Sequence, residues 1–322
     1  MRCRAQLGFA WPESELHTFT DEPPPRCLNA ELVDCNWIPD HDGDLCFSCS
    51  LTRTRPADGD AEGIANLTKA EAAKRRLLFD LGELALPIPT RAGGAEHGLA
   101  FDLLSSASEP VTTGHADGLI TLDLAEADDA QRAQVKKAMG EPYRTLLGHF
   151  RHEVGHFYFK VLTAGDGDRL ERARAVFGDE RADYQTALDR HYAEGPPADW
   201  TERYVSAYAS MHPSEDWAET FAHLVHIRDT IQTAAAFGVT VNGPAFGERD
   251  PAQMSMPELF QDADLKTALS DWIPLGYALN EISRSMGQDD LYPFVLTAPV
   301  IEKLACIDVL IATRRPARQR AP

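Results

Sequence analysis

The sequence lacks a long apolar run, which excludes a helical membrane protein. No stretch of its 322 residues reaches the roughly 18 apolar residues that a membrane-spanning helix needs. The opening segment, residues 1–5, is not followed by an apolar region of the length used in secretion signals. We therefore expect no membrane partner and a location in the cytoplasm.

Basic residues are scarce relative to acidic ones. The chain has 31 Lys and Arg against 50 Asp and Glu, which gives a formal net charge of −19. Such an excess of acid repels phosphate backbones and anionic lipids, so nucleic acid is not expected as a partner. Hydrophobic residues make up 43% of the chain, enough for one large domain or for a large domain with a small satellite.

The six cysteines are too unevenly spread for a disulfide framework that holds the whole chain. Four of them follow the spacing C-x7-C-x10-C-x2-C, namely Cys27, Cys35, Cys46 and Cys49. The last two form a common half of a structural zinc site, and four thiolates would close its coordination shell. We interpret the four as ligands of a structural zinc ion, in a module that can also bind a protein partner. Free or oxidised thiols are the alternative.

A change of composition near residue 60 predicts two domains. Residues 1–60 are rich in Pro, Asp and Cys and lack a helical period, which indicates a zinc-ribbon-like module that ends in a polar linker. Residues 61–322 form the predicted main domain. Its first helix is predicted from Thr68 to about Leu84, because Thr68 and Glu71 form a capping-box pattern.

One strand and a series of further helices are predicted in the main domain. Residues 118–124 alternate apolar and polar side chains after a glycine, which favours a strand. Further helices are predicted over residues 141–163, 168–177, 180–193, 199–210, 213–236, 263–285 and 297–313. The predicted fold class is therefore a helix-rich α+β domain with a small sheet, preceded by the cysteine module.

A His-Glu-x-x-His motif lies inside the predicted helix 141–163. His152 and His156 are four residues apart and project from one helix face, where they can bind a single zinc ion. Zinc lowers the pKa of a bound water toward about 7, and Glu153 is placed to take the proton of that water. The proton then passes to the leaving amine, which is the chemistry of peptide-bond hydrolysis. Two polar residues on a solvated helix face are the alternative.

A catalytic zinc site normally has three protein ligands, and Glu215 is the best candidate for the third. Pro213 suits the first turn of a new helix, which places Glu215 and Glu219 one turn apart on one face. We predict that Glu215 binds the ion and that Glu219 accepts a hydrogen bond from a ligand histidine. An acid favoured by the helix dipole is the alternative for Glu215, with Asp216 or Glu219 as substitute ligands.

Four other histidines lie close to these segments in the sequence. His149 precedes the motif by one helical turn, but it has no role in this chemistry, so we interpret it as structural. His212, His223 and His226 flank the second ligand segment, and we expect them to support the ligands or to lie at the surface.

The motif and the segment from Tyr208 to Glu219 resemble the gluzincin metallopeptidases, in particular the anthrax lethal factor and Mlc titration factor peptidases. The resemblance implies that Glu215 is a zinc ligand. In lethal factor a tyrosine seven residues before that glutamate assists the transition state, and Tyr208 has this spacing. Its phenol is therefore implied to donate a hydrogen bond to the developing oxyanion. A tyrosine packed on a helix is the alternative.

From Cys27 to about Ile311 the chain is similar to bacterial zinc-binding metallopeptidases that carry a zinc ribbon ahead of the peptidase domain. The similarity includes the segments EAAKRRLL at 71–78, TGH at 113–115, EADD at 126–129, GEPYR at 140–144 and DER at 179–181. Family members begin with a further C-x2-C pair, of which Cys3 resembles a remnant. In zincins the strand before the zinc helix is the sheet edge that pairs with an extended substrate, which implies that residues 118–124 form this edge. An ordinary strand with a solvated face is the alternative.

These patterns predict a zinc metallopeptidase that acts on peptides or proteins. Two other readings stay open. In the first, zinc only stabilises the fold of a non-catalytic binding protein. In the second, the same activated water hydrolyses a non-peptide amide.

Overall fold

The computed structural model describes residues 6–19, 23–107, 109–128, 145–242 and 265–314. The predictions made for Cys3, for residues 141–144 and for residues 263–264 lie outside them. The chain divides into two units, residues 1–157 with 314–322 and residues 158–313, which are described in turn. The division falls within a single helix, α3 (Leu146–Thr163).

An antiparallel hairpin opens the first unit, formed by β1 (Gln6–Ala10) and β2 (Glu15–Phe19). Trp11, in the turn, stacks on Trp37 and on Phe47 with ring centroids 5.6 and 5.0 Å apart. Stacked aromatic rings bury large apolar areas, so these contacts hold the hairpin against the segment that carries the cysteines.

A four-stranded sheet forms the centre of the first unit. In the order β3-β4-β6-β5, its strands are β3 (Thr52–Thr54), β4 (Ala100–Leu104), β6 (Leu119–Asp123) and β5 (Gly114–Ala116). The pairs β3–β4 and β4–β6 are parallel, and β5–β6 is antiparallel. The short helix α1 (Phe47–Ser50) leads directly into β3. Strand β3 precedes residue 60 and pairs with a strand that follows it, and the proposed domain boundary at 60 stays a prediction.

The predicted strand 118–124 is confirmed as β6, but its predicted place at the sheet edge is wrong. It pairs with β4 along its full length and with β5 over Leu119–Thr121. The hydrogen-bonding groups on both of its sides are therefore largely used within the sheet. The strand at this edge is β5, which was not predicted.

The first long helix, α2 (Ala61–Glu83), begins seven residues before the predicted start. Asp60 is its N-cap, and the Asp60 carboxylate accepts a hydrogen bond of 2.8 Å from the Gly63 backbone N–H. The predicted cap, Thr68, lies inside the helix, where its hydroxyl donates to the Ile64 carbonyl oxygen at 3.2 Å. The prediction of a capping box was wrong because the stronger cap, an aspartate, lies two turns earlier.

A buried ion pair joins α3 to α2. Arg151 donates to the Asp80 carboxylate at 2.6 Å, and both side chains are 2% exposed. Because neither charge can recover its hydration while the fold is intact, the pair fixes the position of α3 against α2.

The second unit is helical. After the C-terminal part of α3 it contains α4 (Gly167–Phe177), α5 (Tyr184–Glu194), α6 (Trp200–Arg203), α7 (Pro213–Ala236), α8 (Leu265–Ser285) and α9 (Ala298–Arg314), the last residue of which belongs to the first unit. Most predicted helices are confirmed to within four residues at each described end. The helix predicted over 199–210 is wrong, because the backbone becomes extended at Tyr204 and returns only as a 3₁₀ turn at Tyr208–Ser210.

Aromatic side chains pack the end of α3 against α7 within the second unit. Tyr158 stacks on Phe221 with centroids 5.4 Å apart, and Phe159 meets Trp217 edge to face at 5.1 Å. The predicted helix-rich α+β architecture with small sheets is confirmed. Among the described residues, no helix combines the length and the apolar character required to cross a membrane.

Replacing Asp80 with Ala should destabilise the fold, because it removes a buried carboxylate that compensates the buried Arg151 charge. We expect a loss of about 3–5 kcal/mol in the free energy of unfolding, measured by urea titration with circular dichroism. Asp179→Ala, which removes an exposed partner of Arg181, is the control and should leave the midpoint unchanged.

The double variant Asp80→Leu/Arg151→Met should regain most of that stability, since neither position then carries a buried charge. A double variant as unstable as Asp80→Ala would show that the loss has another origin.

Candidate metal centres and their surroundings

Helix α3 presents the two motif histidines from one face. Their Nε2 atoms lie 3.2 Å apart. Two nitrogens bound at about 2.0–2.1 Å to a tetrahedral ion are separated by about 3.3 Å, so His152 and His156 fit a shared zinc ion. His152 is buried and His156 is half-buried. The same distance would also fit a hydrogen bond between the rings, which makes the third donor the deciding feature.

Glu215 supplies that third donor. It lies in the first turn of α7, after Pro213, and its side chain is buried. One ligand atom from each of His152, His156 and Glu215 lies within 4.8 Å of the other two. Two imidazoles and one carboxylate are the donor set of many catalytic zinc sites, in which a fourth position is left for water or substrate.

The substitute ligand Asp216 has a different partner. Its carboxylate accepts from the Lys303 ammonium at 2.7 Å, and both side chains are less than a tenth exposed. The pair connects the first turn of α7 to α9. Asp216 therefore serves an ion pair beside Glu215, and Glu215 is the member of the three-donor cluster.

His212 determines where α7 begins. It is the N-cap residue, and its Nδ1 accepts from the Ser214 backbone N–H at 3.1 Å. Its Nε2 then carries the proton and donates to the Ala182 carbonyl oxygen at 3.0 Å. The three histidines 212, 223 and 226 are all buried, which excludes the surface alternative, and a role in supporting the ligands stays a prediction.

Glu153 is buried beside a histidine that the sequence analysis treated as structural. Its Oε1 lies 3.2 Å from His149 Nε2. Burial would raise the pKa of Glu153, but the hydrogen bond from His149 and the charges of nearby histidines outweigh it and hold the pKa below its usual range. Glu153 is therefore an ionised carboxylate at neutral pH and can accept a proton.

Tyr208 lies in the 3₁₀ turn that precedes α7. Burial, and next the charge of Glu215, raise the pKa of Tyr208 above its ordinary value. The phenol therefore keeps its proton near neutral pH and remains a hydrogen-bond donor.

Glu219 braces the turn that carries Tyr208. Its Oε2 accepts from the Ser206 hydroxyl at 2.6 Å, and the Ser206 oxygen accepts from the Ala209 backbone N–H at 3.0 Å. The role predicted for Glu219, a hydrogen bond from a ligand histidine, stays a prediction.

The four predicted cysteines meet at a second, separate cluster. All four sulfurs are buried and lie within 4.8 Å of one another. The Sγ atom of Cys35 is 3.5 Å from that of Cys46 and 3.7 Å from that of Cys49. Sulfurs bound at about 2.3 Å to a tetrahedral zinc ion are separated by about 3.8 Å, so the cluster fits that ion.

The chemistry of the sulfurs also fits a metal. The described cysteines form no disulfide. Hydrogen bonds among the four thiols lower the pKa of Cys27 and raise the pKa of Cys46 and Cys49. The Cys27 sulfur also accepts from the Cys46 backbone N–H at 3.4 Å, a contact that favours a thiolate, the form of cysteine that binds zinc.

Three side chains near the motif, His149, Glu126 and His115, were undervalued or missed in the sequence. His149 precedes Glu153 by four residues on one helix, a spacing that could have drawn attention to it. Its second partner, Glu126, lies in the 3₁₀ turn Leu124–Ala127 that follows β6, and no local pattern reveals this contact. His115, on β5, stacks near His156 with centroids 6.2 Å apart.

Comparison with known proteins also indicates that the chain binds zinc. The model of a family described as "Putative zinc-binding metallo-peptidase" matches residues 64–310. Uncharacterized proteins of Mycobacterium bovis and of two Mycobacterium tuberculosis strains are each 50% identical over 319 residues, which covers 97% of this chain and 89% of the relative. No solved structure matches the chain.

Elemental analysis of the purified protein should find two zinc ions per chain, one for each cluster. Glu215→Ala and Cys46→Ser should each lose about one ion, because each removes a donor that the other cluster cannot replace. Cys306→Ser changes a buried cysteine outside both clusters and should keep both ions. A Glu215→Ala protein that retains two tightly bound ions would contradict the assignment of Glu215.

Proposed function

Because the chain belongs to the "Putative zinc-binding metallo-peptidase" family, we propose that it is a gluzincin-type zinc peptidase, with the ion held by His152, His156 and Glu215. The observation that carries the proposal is the approach of these three donors to within 4.8 Å, beside the buried carboxylate of Glu153. When bound, zinc supplies Lewis-acid activation of water and of the scissile carbonyl.

Glu153 acts as the general base and then as the general acid. Its lowered pKa leaves it ionised, so it accepts the proton of the attacking water. The carboxylate then returns this proton to the amine nitrogen as the peptide bond breaks. A buried carboxylate suits this transfer, since few waters compete for the proton.

Tyr208 stabilises the oxyanion. Its phenol keeps its proton beside Glu215, so it can donate a hydrogen bond to the carbonyl oxygen as negative charge develops there. Glu219 and Ser206 hold the turn on which Tyr208 lies. Glu219 also receives, in this proposal, a hydrogen bond from a ligand histidine.

The substrate pairs with the edge strand β5. Its neighbour β6 is used on both sides, so β5 offers the backbone groups to which an extended peptide can add as a further strand. His115 on β5 lies near His156 and also contacts Phe157, with centroids 6.4 Å apart. A peptide added here would lie close to the motif helix.

The cysteine cluster holds a structural zinc ion in a zinc-ribbon-like module of residues 1–60, ahead of a peptidase domain of residues 61–322. Four sulfur ligands leave no position for substrate, so this ion stabilises the module and its surface for a protein partner. Cysteines that bind zinc as thiolates also favour a reducing compartment, the cytoplasm.

Glu153→Ala should lower kcat for peptide hydrolysis by about 10²–10⁴-fold, because it removes the proton acceptor and leaves the zinc ligands in place. The test compares wild type and variant on peptide libraries, with mass spectrometry of the products and zinc analysis of both proteins. Glu171→Ala changes an exposed acid on α4 and serves as the matched control.

The outcome also separates the two rival functions. Wild-type protein that is loaded with zinc but cleaves no peptide would favour the non-catalytic binding protein. Products formed only from non-peptide amides would favour the amidohydrolase.

Tyr208→Phe should lower kcat by about 10²–10³-fold with little change in KM, because a hydrogen bond formed mainly in the transition state is lost. Zinc content should be unchanged. Tyr192→Phe removes a hydroxyl from an exposed tyrosine and is the control. An unchanged kcat in Tyr208→Phe would show that Tyr208 only packs against its neighbours.

A further inference from the structure

His149 lies between two carboxylates and contacts each with a different ring nitrogen. Its Nδ1 is 2.5 Å from Glu126 Oε2, and its Nε2 is 3.2 Å from Glu153 Oε1. All three side chains are less than a fifth exposed. A histidine that only filled space in the helix surface would not need a partner at both nitrogens.

His149 thus links Glu153 to Glu126, and Glu126 is itself held by residues next to the sheet. The other oxygen of Glu126 accepts from the Thr113 hydroxyl at 2.7 Å. The Thr113 oxygen in turn accepts from the Asp123 backbone N–H at 3.0 Å, at the end of β6. Both carboxylate oxygens of Glu126 are thus engaged, so its position relative to β6 is fixed before it meets His149.

The other carboxylate that His149 contacts, Glu153, is the proposed catalytic base. Glu153 extends from α3 on a side chain with three rotatable bonds, and without a restraint its carboxylate would sample several rotamers. His149 lies one helical turn before it, at a spacing that brings the two side chains together. The hydrogen bond that His149 Nε2 donates to Oε1 selects the rotamers in which Oε1 faces His149.

We propose that His149 is a positioning residue, which holds the Glu153 carboxylate in its productive orientation by linking it through Glu126 and Thr113 to the end of β6. This inference rests on the proposed function, and it assigns a role to three residues outside the metal ligands. Proton transfer depends steeply on the distance and angle between the carboxylate and the proton that it takes. A base that samples several rotamers would spend much of its time out of reach.

The link is separate from the metal ligands, although the rings of His149 and His152 are neighbours with centroids 6.4 Å apart. Both nitrogens of His149 face carboxylates, so neither is directed at the proposed ion. Removal of His149 should therefore change the orientation of the base and leave the zinc affinity unchanged.

His149→Ala should lower kcat by about 10–100-fold, with KM and the zinc dissociation constant each within about threefold of wild type. The zinc constant is measured by competition with a chromophoric chelator. In the Glu153→Ala background, His149→Ala should cause no further loss, because His149 acts only through Glu153. His17→Ala changes an exposed histidine on β2 and is the matched control.

A crystal structure of His149→Ala gives a readout that does not depend on activity. We expect the Glu153 carboxylate to leave its wild-type position while the Nε2 atoms of His152 and His156 stay where they are. Thr113→Val is a milder second variant that removes the hydroxyl through which Asp123 holds Glu126. It should lower kcat by a smaller factor in the same direction, and it keeps the test available if His149→Ala does not fold.

Three results would overturn the proposal. The first is a Glu153 carboxylate that keeps its position in His149→Ala. The second is a zinc affinity that falls in parallel with kcat, which would place the effect of His149 on the ligands. The third is an equal further loss in the Glu153→Ala background. A wild-type protein without peptidase activity would instead refute the proposed function, while the crystal structure and the zinc affinity would still test the link.

Discussion

The orientation of helix α3 is the constraint on which both the fold and the candidate site depend. One stripe of this helix faces the core and contains Phe150, Arg151 and Val154, all at most 2% exposed. The adjacent stripe contains His149, His152, Glu153 and His156 at spacings of three and four residues. Because the two stripes share one backbone, the ion pair that seats Arg151 on Asp80 also sets the direction of His152, the next residue. Ring contacts from Tyr158 and Phe159 then fix the other end of the helix.

Four ion pairs lie in the interior of the protein. Arg151 meets Asp80, Lys74 meets Glu71 at 2.8 Å, Lys303 meets Asp216 and Arg228 meets Asp308. Buried pairs of this kind add little net stability compared with well-packed apolar side chains. Buried pairs instead favour one packing of the helices. A buried charge that meets its partner in only one packing destabilises every alternative packing, in which it is desolvated without compensation. Three of the four pairs join different helices, so they determine which helix faces meet.

The sequence predicted what depends on short spacing and missed what depends on tertiary contact. The histidines of the motif were recognisable because a spacing of four residues places them on one helix face. Glu215 was recognisable because Pro213 marks the first turn of a helix. The four cysteines were recognisable from their number and clustering. The start of α2 was misplaced because two acceptable caps lie eight residues apart, and the stronger one, Asp60, begins the helix two turns before Thr68. The edge strand was misassigned because β5, only three residues long, has too few residues to show an alternating pattern. The partnership of His149 with Glu126 crosses 23 residues of sequence and has no local signal.

Within the first unit, the cysteine cluster is connected to the four-stranded sheet that carries His115. Cys46 is the N-cap of α1 and Cys49 lies within this helix. The chain then continues through Leu51 into β3. The Leu51 carbonyl oxygen accepts from the Phe101 backbone N–H at 2.8 Å, and Thr52 is held by the buried pair Lys74 and Glu71. The cysteine cluster is therefore continuous with one edge of a sheet whose opposite edge carries His115. A metal that held the four sulfurs would also restrain β3, which pairs with β4, and β4 in turn pairs with β6. An ion bound at the cysteine cluster would therefore stabilise the sheet whose opposite edge strand, β5, carries His115 near His156.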